Sequence, residues 1–235
     1  MDRALMDQAW IPLLLSLKVA GLATLLVLLA GTALGFLLAR RPFPGREVLD
    51  ALCTLPMVLP PTVLGYYLLV LLGRRGALGG FLDRTFGIQL IFTWQGAVIA
   101  ASIVSFPLAL KAARAAFEQV DPQYERAART LGVSDLGVFF RVTLPLAWRG
   151  ILAGTLLAFA RALGEFGATL MVAGSIPGRT QTLSVAVYEA VQAGQDGLAT
   201  TLVIVTSTTC LLVLLVAARL LRGHDARSAG REPWP

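Results

Sequence analysis

The stretch Glu118–Gly150, EQVDPQYERAARTLGVSDLGVFFRVTLPLAWRG, is the one long polar break in an otherwise apolar chain. Asp121 suits a helix N-cap and Pro122 the first helical position. Tyr124, Ala127, Ala128 and Leu131 then recur at helical spacing, and Gly132 supplies a stop. Ser134 can cap a second short helix running toward Phe140, and Pro145 is expected to end the polar segment. The pattern predicts a compact knob of two short helices between two spans. Ala127 and Ala128 leave a shallow surface on which a soluble partner could press close to the backbone. An ordinary loop packed on its own bundle would read the same way.

Outside this stretch the chain reads as membrane-embedded. Of 235 residues 56% are hydrophobic and only 14% charged, against about 25% charged in a soluble domain. Val19–Ala39, Ala51–Leu72, Leu90–Leu110 and Leu198–Ala218 carry no charge, and a span needs roughly 20 apolar residues. A fifth run, Gly150–Gly174, is interrupted only by Arg161 and Glu165. The expectation is an all-α, polytopic bundle forming a single membrane domain without internal repeats. Its five spans fall over 12–39, 51–72, 90–111, 149–173 and 198–220, with a connecting loop over 113–148. Arg40 and Arg41 follow the first apolar run instead of preceding it, which argues against a cleavable leader.

With the knob on the cytoplasmic side, the N-terminus falls outside and the C-terminus inside. Thirteen Lys/Arg then lie inside against 5 outside, Arg227 and Arg231 among the former. This bias obeys the positive-inside rule and explains the net charge of +6 without nucleic acid. Residues 180–193 are too short and polar for a sixth span; helical spacing of Leu183, Val187, Ala190 and Val191 suggests an amphipathic helix at the outer surface. Thr180 and Thr182 would then lie near the outer face.

Several residues carry a local expectation. Trp10 sits where an interfacial anchor belongs, and Lys18 can extend its amine toward water. Gly31/Gly35 and Gly150/Gly154 form GxxxG pairs, which permit close helix approach. Pro56, Pro60 and Pro61 disfavour a straight helix, leaving either a kink fitted to the bundle or a bent helix beside a pore. Arg161 and Glu165 are four apart on one helical face near mid-membrane. Intramembrane charges face a bundle interior or a water path, so the pair, with Gly164 and Gly167, either lines a pathway or fixes packing. Cys53 and Cys210 read as small buried residues without metal or disulfide spacing. His224 reads as solvated, and no Ser/His, Cys/His or HExxH arrangement supports an enzyme.

Ala127, Ala128, Gly132, Leu144 and Pro145 match the cytoplasmic signature of ATP-binding-cassette importer permeases: Glu-Ala-Ala, three residues, Gly, then a later Leu-Pro. Arg126 stands where that signature has Glu, and the nearest acid is Glu125. RPFPGREVLD, LPMVLPPTVLGYYLL, ARTLGVSDLGVFFRVTLPL and FARALGEFGATLMVAGSIPGRTQTL together resemble the molybdate-importer permeases, and the likeness extends over nearly the whole chain. Sulfate permeases share the GEFGA-type stretch but are less similar to the whole set. Some relatives carry a further N-terminal span, which is not expected here, nor is a regulatory domain after Leu221.

The resemblance implies a type I importer permease, a multi-pass inner-membrane subunit forming the pathway by alternating access. Its cargo would be molybdate with tungstate alongside, or else sulfate or thiosulfate. Its implied partners are a second copy, a cytosolic ATPase dimer, an extracytoplasmic oxyanion-binding protein and the bilayer. Glu125, Arg126, Ala127, Ala128, Arg129, Gly132, Leu144 and Pro145 would couple to the ATPase; Arg161, Gly164, Glu165 and Gly167 would line or gate the path. No cofactor is expected. ATP would be bound by the partner, because a P-loop needs Gly-Lys-Ser/Thr and both lysines, Lys18 and Lys111, follow Leu. A passive channel is the reading from a different class.

Overall fold

The computed structural model describes residues 3–222; His224, Arg227 and Arg231 lie outside them. The described residues are helical throughout, joined by short turns, with no strand. Helix α1 spans Arg3–Arg40, with Pro12 inside it. Helices α2 (Arg46–Val58) and α3 (Pro61–Leu72) follow, then α4 (Ala77–Phe86) and α5 (Trp94–Glu118). The knob comprises α6 (Pro122–Thr130) and α7 (Asp135–Val138). A π turn, Phe139–Thr143, leads into α8 (Leu144–Leu163). Helices α9 (Gly167–Ala173), α10 (Leu183–Gln192) and α11 (Asp196–Arg222) complete the described chain.

Among the described residues, four helical stretches are long and apolar enough to cross a membrane: Gln8–Arg40, Trp94–Glu118, Asp135–Leu163 and Asp196–Val216. A fifth crossing requires the pair Arg46–Val58 and Pro61–Phe86, which is bent by 114°. The bend falls where Pro60 and Pro61 withhold backbone donors, and Leu59 and Pro60 adopt extended ψ angles of 139° and 136°.

Helix α5 is the hub. Its buried side is dominated by small residues, among them Ala97, Ala100, Ala101, Ala109, Ala113 and Ala116. Both GxxxG pairs pack against it from within the same chain. A Cβ on Gly35 would lie 3.0 Å from the Cβ of Ala113, and one on Gly150 2.6 Å from that of Ala116. A Cβ on Gly154 would overlap Ala112. Helices α1 and α8 thus approach α5 to a distance that only glycine allows.

Helix α10 buries Leu183 and Ala186 against Ala9 of α1 and Ala199 and Leu202 of α11. Its first amide, on Leu183, donates to Ser16 Oγ at 2.7 Å. Thr180 and Thr182 are buried, and Thr180 Oγ1 accepts from the amide of Ile176. Neither hydroxyl faces outward, because the turn that presents α10 to the bundle folds them inward. Lys18 places its ammonium 3.7 Å from the Trp94 ring centroid, a cation–π contact.

Replacing Gly154 by Leu forces α8 away from α5. The substitution is expected to cost about 1–3 kcal/mol, the range for overpacking a filled interior. Thermal unfolding of the detergent-solubilised protein measures it, with Gly178→Ala, an open site already at φ +73°, as a comparison for backbone strain alone.

Candidate functional site

The knob is built as its capping residues dictate. Asp121 Oδ1 accepts from the amide of Gln123 at 2.8 Å, with Pro122 as the first helical residue. Gly132 at φ +80° reverses the chain, and the amide of Val133 reaches back to Ala128 O at 3.2 Å. Ser134 Oγ accepts from the amide of Gly137, capping α7. Pro145 stands in the first turn of α8, where the polar segment gives way to the span, and helical structure is nonetheless continuous from Asp135 to Leu163. Proline lacks an amide hydrogen and crowds the preceding turn. The π turn absorbs this by widening, with the amide of Leu144 bonded to Phe139 O.

The predicted face of α6 points outward. Tyr124 is 60% exposed and Leu131 84%, and α7 and its π turn add Leu136 at 74% and Phe140 at 61%. Ala127 and Arg126 are exposed beside them and Ala128 is partly covered. The polar knob thus leaves four large apolar side chains exposed, and exposed apolar surface on a polar element is of the kind that marks an interaction site. Leu136 and Phe140 escaped sequence reading because α7 is too short to show periodicity.

Glu125 turns the other way. It is buried, with Oε1 2.9 Å from Arg40 Nη2 and accepting from Thr143 Oγ1, also at 2.9 Å. Arg129 approaches its Oε2 at 3.9 Å while bonding Asp135 at 2.9 Å. Arg40 also donates to Val120 O at 2.9 Å. Leu144 joins the apolar layer of Phe117, Val120 and Ile151 beneath the knob, and Pro145 is exposed. The eight predicted coupling residues therefore divide: Arg126, Ala127, Arg129, Gly132 and Pro145 are exposed, Ala128 is partly covered, and Glu125 and Leu144 root the knob.

A second ion-pair group ties α2 to α5. Asp50 meets Lys111 at 2.6 Å and Arg114 at 3.1 Å, and Glu118 meets Arg114 at 2.8 Å.

The second predicted site lies at a helix break. α8 stops at Leu163 and α9 starts at Gly167, so the expected span 149–173 is two pieces. Glu165 is 3% exposed. One carboxylate oxygen pairs with Arg161 Nη1 at 2.8 Å and the other accepts the Ala168 amide at 2.9 Å. It thereby caps α9 as well as neutralising Arg161. α9 packs on α3: a Cβ on Gly65 would sit 2.7 Å from that of Met171, and one on Gly167 2.8 Å from that of Pro61. Gly167 is thus needed for contact within the chain, whereas a Cβ on Gly164 would meet nothing nearer than 3.8 Å. The two breaks adjoin, and Arg161 lines a cavity of about 140 Å³ with Pro56, Met57, Leu59, Pro61, Val104 and Leu108. Among the described residues no group of His, Cys, Asp or Glu is placed to hold a metal.

Glu165→Leu leaves Arg161 uncompensated and α9 uncapped. We expect a loss of about 3 kcal/mol, the low end for breaking a buried pair because Arg161 keeps 36% of its side chain exposed. Arg161→Gln/Glu165→Gln is expected to recover part of the loss in the same thermal assay.

The chain is 48% identical over 229 residues to the molybdenum transport system permease protein ModB of Escherichia coli K12, covering 97% of this chain and 99% of that protein. It is 37% identical to the sulfate transport system permease protein CysW of Synechococcus elongatus, covering 97% and 78%. A crystal structure of a bacterial alginate ABC transporter, in complex with its alginate pentasaccharide-bound periplasmic protein, contains a chain of the same fold. The TM-score is 0.72 at 17% identity, covering 92% of this chain and 79% of that one. Residues 31–227 match the model of the binding-protein-dependent transport system inner membrane components, and the chain belongs to that family.

Proposed function

We propose that this chain is the membrane-spanning subunit of an ATP-driven importer of molybdate, and of tungstate alongside it, in the cytoplasmic membrane. Two copies form the pathway, a cytosolic ATPase pair supplies the energy, and an extracytoplasmic binding protein delivers the oxyanion. The substrate reading rests on the 48% identity, over nearly the full length of both chains, to a molybdenum transport permease; the sulfate relative stands further off at 37%. The knob faces the cytoplasm, in keeping with the distribution of basic residues.

The observation that carries the coupling mechanism is the exposure of four large apolar side chains, Tyr124, Leu131, Leu136 and Phe140, on a knob fastened to the bundle. Seated in a groove of the ATPase, it moves when ATP closes the pair and rocks the spans between inward- and outward-open states. ATP can drive this only because the two states bind ATP and the loaded binding protein differently. No residue of this chain binds ATP in this reading. Arg161, beside two broken helices, is the cation that the dianion meets in passage. Its charge is shared with Glu165, which suits transient contact better than tight binding.

Cells lacking this gene are expected to lose high-affinity uptake of labelled molybdate. The gene should restore it, and excess sulfate should not compete. Normal molybdate uptake with defective sulfate uptake would reassign the cargo. Leu131→Asp should release the ATPase from the solubilised complex, and bulky residues at Ala127 should do the same. Arg161→Gln should reduce uptake by at least about tenfold while the complex still assembles, the scale of one lost charge-assisted contact; unchanged uptake would remove Arg161 from the path.

A further inference from the structure

We infer that Glu125, Arg40 and Thr143 form a strut that makes the knob one rigid piece with the ends of α1 and α8, and that Arg40 and Glu125 are positioning residues for energy transfer. The inference rests on the docking reading of the knob and assigns Glu125 a task inside the permease instead of a contact with the ATPase.

Three observations converge on it. The acid of the coupling helix is the one α6 residue that is buried, while the apolar residues around it are exposed. It therefore has no surface to offer a partner. Its bonds cross long stretches of chain, to Arg40 at the last turn of α1 and to Thr143 just before α8. Arg40 and Glu125 keep only 16% and 10% of their side chains exposed, and a pair so enclosed is geometrically strict because each charge depends on the other for solvation. Beneath the pair, Phe36 of α1 stacks edge-on against Phe117 of α5 at 5.3 Å and against Phe139 of the π turn at 4.8 Å. An ionic bond and an aromatic clasp thus hold the same joint.

The physical consequence is leverage. Helix α1 runs the full height of the bundle and packs along α5. A knob attached only through flexible loops would let the ATPase move it without moving α1. With the strut in place, displacement of α6 is passed to α1 at Arg40 and to α8 at Thr143 together. The departure at Arg126 fits this arrangement. Arg126 is exposed, and a carboxylate moved one residue, about 100° around the helix, to Glu125 faces Arg40 instead of solvent.

The test uses the whole complex, permease with ATPase and binding protein, in proteoliposomes supplied with molybdate. Arg40→Gln and the milder Glu125→Gln are expected to retain the ATPase, because the exposed face is untouched. Each should raise the ATP hydrolysed per molybdate imported by at least about fivefold, the low end of a typical coupling free energy. Arg40→Lys, which keeps the charge, should restore most of the ratio. An unchanged ratio in both glutamine variants would overturn the strut. Release of the ATPase by Glu125→Gln would overturn it as well, since Glu125 would then be a contact residue. Retention of the ATPase by Leu131→Asp would instead remove the docking reading beneath it, which keeps the two failures apart.

Discussion

In a bilayer, lipid tails are as apolar as leucine, so helices gain nothing from leaving lipid merely to hide hydrophobic surface. What holds this bundle together is the close approach of backbones, and α5 is where that happens. Its alanines receive Gly31 and Gly35 from one side and Gly150 and Gly154 from the other. The contacts are short enough for dispersion to accumulate along two helix pairs. With α1 and α8 fixed on α5, the knob between α5 and α8 has a rigid base. The half-helices α3 and α9 likewise pack against a surface that does not move independently.

The second constraint is that broken helices in lipid must satisfy their free backbone groups internally. Two breaks occur among the described residues, and they are placed together. Pro61 begins α3 without needing a donor partner, and Glu165 supplies an acceptor for the first turn of α9. Gly65 and Gly167 then let the two half-helices touch. The polar cost of one break is met by its own side chain and the steric cost by glycine. Arg161 is left at the edge of a small cavity, neutralised on one side only.

Much of this was legible in the sequence. The all-helical bundle followed from uncharged runs, the knob's capping from Asp121, Pro122, Gly132 and Ser134, and the bend from Pro60 and Pro61. The ion pair of Arg161 and Glu165 followed from their spacing. Other features were hidden for identifiable reasons. The break at Gly164–Phe166 lies in an apolar run, and only the carboxylate's second oxygen marks it as a cap. Arg40 looked like a topological charge, because a basic residue after a span says nothing of what it touches 85 positions later, at Glu125. Thr180 and Thr182 were assigned to the outer side by topology, which says nothing of burial, and the turn folds them inward. Long-range pairing of this kind is settled by packing, not by local pattern.

The π turn at Phe139–Thr143 has a consequence for geometry. A widened turn holds one more residue than an α-helical one would over the same rise. One residue corresponds to about 100° of rotation about the helix axis. Deleting it would leave the helix continuous and still swing Leu136 around to a different compass bearing relative to α8. The azimuth at which the knob presents its apolar face is thus set by a single inserted residue at the root of a span.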